Sequence, residues 1–210
     1  MFAWLAALLT ATPCFYLTFM LVAAWVDPLA WDNGRWVRFG VGLLALEFVL
    51  LHSSGFMSAI YSGQLPHRKR YSLMTGLLLF YSAIVWAFAE TFDSYRLIII
   101  FAAITLGRII SMVQAASRSR DAMSARSALG IVLYVLIGFL TVAVAVPELG
   151  VTREVLDQVY PGRGGGLWER HPERAMAGAA LYFFLVGFAE LFYFRNTPAV
   201  SDTTSSTAGA

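Results

Sequence analysis

Long apolar runs alternate with short polar connections along the whole chain. A window of about 19 residues resolves six of these runs: Phe2 to Val26, Trp36 to Tyr61, Tyr71 to Glu90, Leu97 to Ala116, Ser127 to Val146 and Glu173 to Phe194. Each reaches the roughly 20 residues that a helix needs to cross hydrocarbon. The pattern predicts an all-α integral membrane protein, a single domain of six transmembrane helices over residues 1–195. Residues 196–210 are rich in Ser, Thr and Ala and read as a disordered cytoplasmic tail. Met1-Phe-Ala-Trp lacks the basic start of a cleavable signal, so the first run reads as a permanent helix. Pro13, inside that helix, has no N–H to give and is expected to kink it.

The connections set an orientation. Arg68, Lys69 and Arg70 follow the second span, and Arg118, Arg120 and Arg126 follow the fourth. The first and third connections mix Arg35, Arg38 and Arg96 with Asp27, Asp32 and Asp93. Positive charge gathers on the cytoplasmic side of membrane proteins, which puts both termini in the cytoplasm. Pro147 to Pro172 then forms a long outer loop between helices 5 and 6. Within it Val151, Val155, Leu156 and Val159 recur at helical spacing beside charged residues, predicting a short amphipathic helix on the membrane surface. Gly162, Gly164, Gly165 and Gly166 follow as a flexible joint; no strand precedes them and no Lys-Ser/Thr ends them, so they are no phosphate loop. Trp25, Trp36, Tyr61, Tyr71, Trp168 and other aromatics cluster at span ends, as an interfacial belt does.

Composition sharpens this picture. Only 13% of the 210 residues are charged and 59% are apolar, with a mean hydropathy of +0.67. A soluble domain carries about a quarter charged residues. A net charge of +2, confined to short loops, gives no basic face for nucleic acid. Cys14 is the sole cysteine, which excludes an internal disulfide and a thiolate metal cluster.

The candidate chemistry lies in polar groups inside the spans, where a charge costs roughly 2.5–3.5 kcal/mol on insertion scales. The stretch Glu47-x4-His52-Ser-Ser-Gly-Phe56 concentrates them. On the second helix Glu47, Leu51, Ser54 and Ser58 share a stripe, while His52 points about 140° away from Glu47. At 1.5 Å per residue Glu47 lies roughly 16 Å below Trp36 and Arg108 roughly 18 Å below Arg96, near one level. An ion pair between them is the simplest expectation, either as a structural register device or as the lining of a site. His52 and Glu190 form a second candidate pair nearer the cytoplasmic side, with a backbone hydrogen bond and interfacial solvation as their plainer readings.

Other arrangements fail on spacing. A bis-histidine haem needs two imidazoles at one depth, and only His52 is inside a span. Glu169, His171 and Glu173 are interrupted by Pro172 and flanked by arginines, so they read as a solvated helix start and not a metal site. Ser54 lacks a second intramembrane His as base, and no catalytic residue, cofactor or metal is assigned. Phe88-Ala-Glu90-Thr-Phe92 and Phe188-Ala-Glu190-Leu-Phe192 are similar, but five residues from a small alphabet are thin support for an inverted repeat.

The leading expectation is a small-solute or proton-linked transporter or channel-like protein, with a path along Glu47, His52, Ser54, Ser58, Arg108 and Glu190. The alternatives are an accessory or assembly subunit of a larger membrane complex and a membrane-embedded enzyme acting on a lipid-like substrate. The expected partners are the lipid bilayer and another membrane protein or a second copy of the chain.

Overall fold

The computed structural model describes residues 2–62, 65–92, 94–102, 105–106 and 120–192. It is all-helical, with no strand among the described residues. α1 (Phe2–Val26), α2 (Arg35–Ser62) and α3 (His67–Thr91) come first. A fourth helical stretch, α4, is described at 96–102 and 105–106. α5 (Arg120–Ala143), two short helices, α6 (Arg153–Val159) and α7 (Leu167–Arg170), and α8 (Pro172–Phe192) complete the chain.

Among the described residues three helices are long and apolar enough to cross a membrane: the stretch Asp32–Met57, which is the turn before α2 with most of α2, then α3 and α8. Among the described residues, Ala11–Val26 of α1 and Ala128–Ala143 of α5 are shorter apolar pieces. The expected tail at 196–210 and the inner part of the fourth span, 107–116, lie outside the described residues.

α8 is the hub, packing against α1, α2 and α5. Its small residues, Ala175, Ala179, Ala180, Gly178 and Gly187, are buried, and small side chains let helix backbones approach closely where lipid gives no hydrophobic drive. A Cβ on Gly178 would collide with Thr141 Cγ2 of α5, and one on Gly187 would press 3.1 Å from Cys14 Cβ of α1. α3 packs against α2 and presents Leu79, Phe80 and Trp86 outward, while α5 presents Val132, Val135 and Phe139. Exposed apolar faces of this extent suit a bilayer and not water. α3 is thus peripheral where α8 is central, so the two similar pentapeptides occupy unlike surroundings.

The connections between α1 and α2, α3 and α4, and α5 and α8 meet at one end of the bundle. Arg96 Nη2 reaches Asp32 Oδ2 at 3.0 Å, Gly150 N–H donates to Trp25 O at 3.1 Å, and Trp25 Nε1 donates to Pro147 O at 2.9 Å. α6 forms as its periodicity suggests. Its apolar side turns onto the bundle end, with Val151 and Leu156 buried and Val159 packed onto Gly34, whose φ of +80° and lack of a Cβ permit the approach. The same periodicity serves either apolar surface, and the bundle end supplies a closer one.

The start of α8 also differs from the expected solvated turn. Glu173 is buried and meets His171 Nδ1 at 3.1 Å. Glu169 is committed elsewhere, accepting from Gly166 N–H at 3.1 Å. Among the described residues no group of three or more His, Cys, Asp or Glu is placed to hold a metal.

Candidate functional site

Glu47 is the polar centre of the packed core. Twelve residues into α2, it has leucine neighbours on its own helix, with Leu43, Leu44, Leu46 and Leu50 all buried, and it is itself only 7% exposed. Apolar helices surround it because α2 runs between α8, α1 and α5. A carboxyl group in that position needs polar partners. Tyr182 of α8 supplies one, its hydroxyl donating to Glu47 Oε1 at 2.8 Å.

Tyr134 of α5 completes the surroundings. Its hydroxyl donates to the carbonyl of Leu44 at 3.0 Å, one turn above Glu47, and its ring meets the Tyr182 ring edge to face with centroids 6.0 Å apart. Each phenol thus ties its helix to α2 by a hydrogen bond, and the rings brace one another. Gly130 of α5 allows this, since a Cβ there would stand 3.6 Å from the Tyr182 hydroxyl and 3.1 Å from Leu51.

Cys14 of α1 packs against Gly187 of α8, with Glu190 three residues further along that helix.

Of the six residues expected along a path, Glu47 is buried at the contact of α2 with α8, and Glu190 is half-buried near the end of α8. His52 is elsewhere: it is exposed, stacked on Phe48 with ring centroids 3.9 Å apart, and its Nδ1–H donates to the Phe48 carbonyl at 2.9 Å. The side chains of Ser54 and Ser58, and Arg108 altogether, lie outside the described residues. Ser53, between the expected positions, is buried and donates to Leu50 O at 3.0 Å.

Sequence reasoning missed Tyr182 and Tyr134. The signal was available for the tyrosines: both hydroxyls sit far from the span ends where belt aromatics belong, and Tyr182 lies roughly 14 Å below Glu173 by helix rise, near the level of Glu47.

No family model matches the chain, and no curated protein or solved structure is significantly similar to it. The functional reading therefore rests on the site itself.

Proposed function

We propose that this chain is a six-span protein of the cytoplasmic membrane, with both termini cytoplasmic, that carries protons or a small polar solute linked to them. The supporting observation is the buried Glu47 held by the Tyr182 hydroxyl. A phenol can donate to a carboxylate and accept from a carboxylic acid. The Glu47–Tyr182 pair can therefore persist through a proton cycle, and intramembrane ionisable groups commonly mark such relays.

Arg108 is the proposed counter-charge. Leu97 of α4 packs against Gly42 of α2, 2.9 Å from where a Cβ would be, and Leu97, Phe101 and Thr105 form a buried stripe. Arg108 follows Thr105 by three positions in the sequence. Ser54 and Ser58 extend the proposed path inward, and Glu190 leads toward the cytoplasm; His52 stands apart from it.

Proteoliposomes containing a trapped pH-sensitive dye test the proposal. With an imposed pH gradient and potassium with valinomycin to balance charge, the wild-type protein should collapse the gradient faster than protein-free liposomes. Glu47→Gln, with helix content unchanged by circular dichroism, should abolish the difference. Equal rates for Glu47→Gln and wild type, or no effect of wild type, would overturn the reading.

A second reading, a subunit of a larger membrane complex, is favoured by α5. Gly138 has open space beside it, flanked by the exposed Val135, Leu136 and Phe139. An exposed apolar helix face with a gap at a glycine can accept another helix, and co-purification of a stoichiometric partner from the native membrane would support it.

A further inference from the structure

A cleft of about 540 Å³ opens at the loop end of the bundle, remote from Glu47. Its basic wall is made by Arg35, Arg38 and Arg96, and its apolar wall by Phe39, Phe92 and Ile99. That volume is in the range of small-molecule sites, which run from roughly 300 to 1,000 Å³.

The three guanidinium groups converge although they belong to two helices. Arg35 and Arg38 stand at the start of α2, and Arg96 begins the described part of α4. The connecting turn arranges them: Asp32 takes Arg96 at 3.0 Å and Arg35 at 3.8 Å, from a turn in which Asp32, Asn33 and Gly34 all have positive φ, at 54°, 52° and 80°. Non-glycine residues in that region carry strain that surrounding structure must support. Arg38 lies over the Tyr160 ring, 5.1 Å from its centroid. Arg35 and Arg96 nevertheless keep 77% and 58% of their side chains exposed, so Asp32 holds these two arginines of the wall without covering them.

Below this wall the character changes within one turn. Ile99, three residues on from Arg96, lines the cleft and is 69% exposed on the apolar flank of the bundle. Guanidinium forks match phosphate oxygens, and an exposed isoleucine beneath them at span depth matches an acyl chain. We propose that this cleft binds an anionic phospholipid, with the phosphate against Arg35, Arg38 and Arg96 and the first acyl carbons along Phe39, Phe92 and Ile99. The inference is independent of the proton-carrying reading, since neither Glu47 nor Tyr182 lines the cleft.

Native mass spectrometry of the detergent-solubilised full chain, titrated with phosphatidylglycerol and with phosphatidylcholine, tests it. One phosphatidylglycerol should be retained in preference to phosphatidylcholine. Arg35→Gln with Arg96→Gln, both at exposed positions, should weaken that binding at least about tenfold by removing charge-assisted contacts. Arg68→Gln with Lys69→Gln removes the same charge at the start of α3 and should leave it unchanged. Equal loss in both pairs of variants, or no preference between the lipids, would overturn the site. Competition by inorganic phosphate or glycerol phosphate at concentrations similar to the lipid would overturn the assignment to a lipid and leave a soluble anion as the occupant.

Discussion

Replacing Tyr182 with Phe isolates the contact on which the core is centred. The substitution removes one hydroxyl and keeps the ring that Tyr134 braces at 6.0 Å, so packing is conserved and the 2.8 Å bond to Glu47 is lost. Interhelical hydrogen bonds in membrane bundles average about 0.6 kcal/mol, with a maximum near 1.7. A carboxyl acceptor that is 7% exposed belongs at the upper end of that range, because little water can replace the lost donor. The expected destabilisation is about 1–2 kcal/mol, read from unfolding in mixed micelles as the fraction of denaturing detergent rises. A double-mutant cycle with Glu47→Gln assigns it to the pair, with an expected coupling of about 1 kcal/mol. Destabilisation below about 0.3 kcal/mol, or a coupling near zero, would refute the argument that the hydroxyl is what reconciles the carboxyl with its surroundings.

Three further outcomes follow from other contacts. Gly178→Ala should cost about 1–3 kcal/mol by overpacking, and Thr141→Ser, which removes the Cγ2 in its way and keeps the oxygen that accepts from Trp168 Nε1 at 3.0 Å, should restore most of it in the same unfolding assay. Arg108→Leu alone should destabilise by about 3–5 kcal/mol, whereas Glu47→Leu with Arg108→Leu should recover stability, as expected of a buried charge pair; no recovery in the double variant would remove Arg108 as the counter-charge. Tyr160→Phe should stabilise by about 1 kcal/mol near neutral pH, since its buried hydroxyl has no hydrogen-bond partner among the described residues. Burial, and then the nearby Glu169, push the Tyr160 phenol from 10.0 up to about 12. The folded state therefore holds that proton more tightly, its contribution is complete below pH about 10, and it is lost as pH rises toward about 12. Tyr160→Phe should flatten that alkaline decline in a stability titration.

The apolar runs of the sequence locate helices well and their ends less well. α1 matches its run, and α8 starts one residue early, at Pro172. α3 begins at His67 and α5 at Arg120, several residues before their runs, because polar turns such as His67-Arg68-Lys69-Arg70 are helical yet invisible to a hydropathy window. α5 ends at Ala143, ahead of Val146, in keeping with the bias of a residue before proline away from helix. α7 is hidden in the glycine-rich joint, where Glu169 reaches back to Gly166 through a contact that composition does not announce. The site was half legible. Glu47 stood out because a carboxylate in an apolar run is costly, while Tyr182 resembles an ordinary span residue until the crossing of α1, α2 and α8 sets it against Glu47. That crossing is set by glycines such as Gly187, whose part depends on a partner helix 173 positions away at Cys14.

Cysteine accessibility along α2 tests the central claim, that protons reach Glu47 along the α2 stripe although the carboxyl is buried in the resting structure. In a Cys14→Ala background, single cysteines from Leu43 to Ser58 would be labelled with a membrane-impermeant thiol reagent in intact cells and in inverted vesicles. The account predicts labelling that follows the stripe of Glu47, Leu51, Ser54 and Ser58 and spares the positions between them. Uniform protection from both sides would contradict it and leave Glu47 and Tyr182 as a dry structural contact.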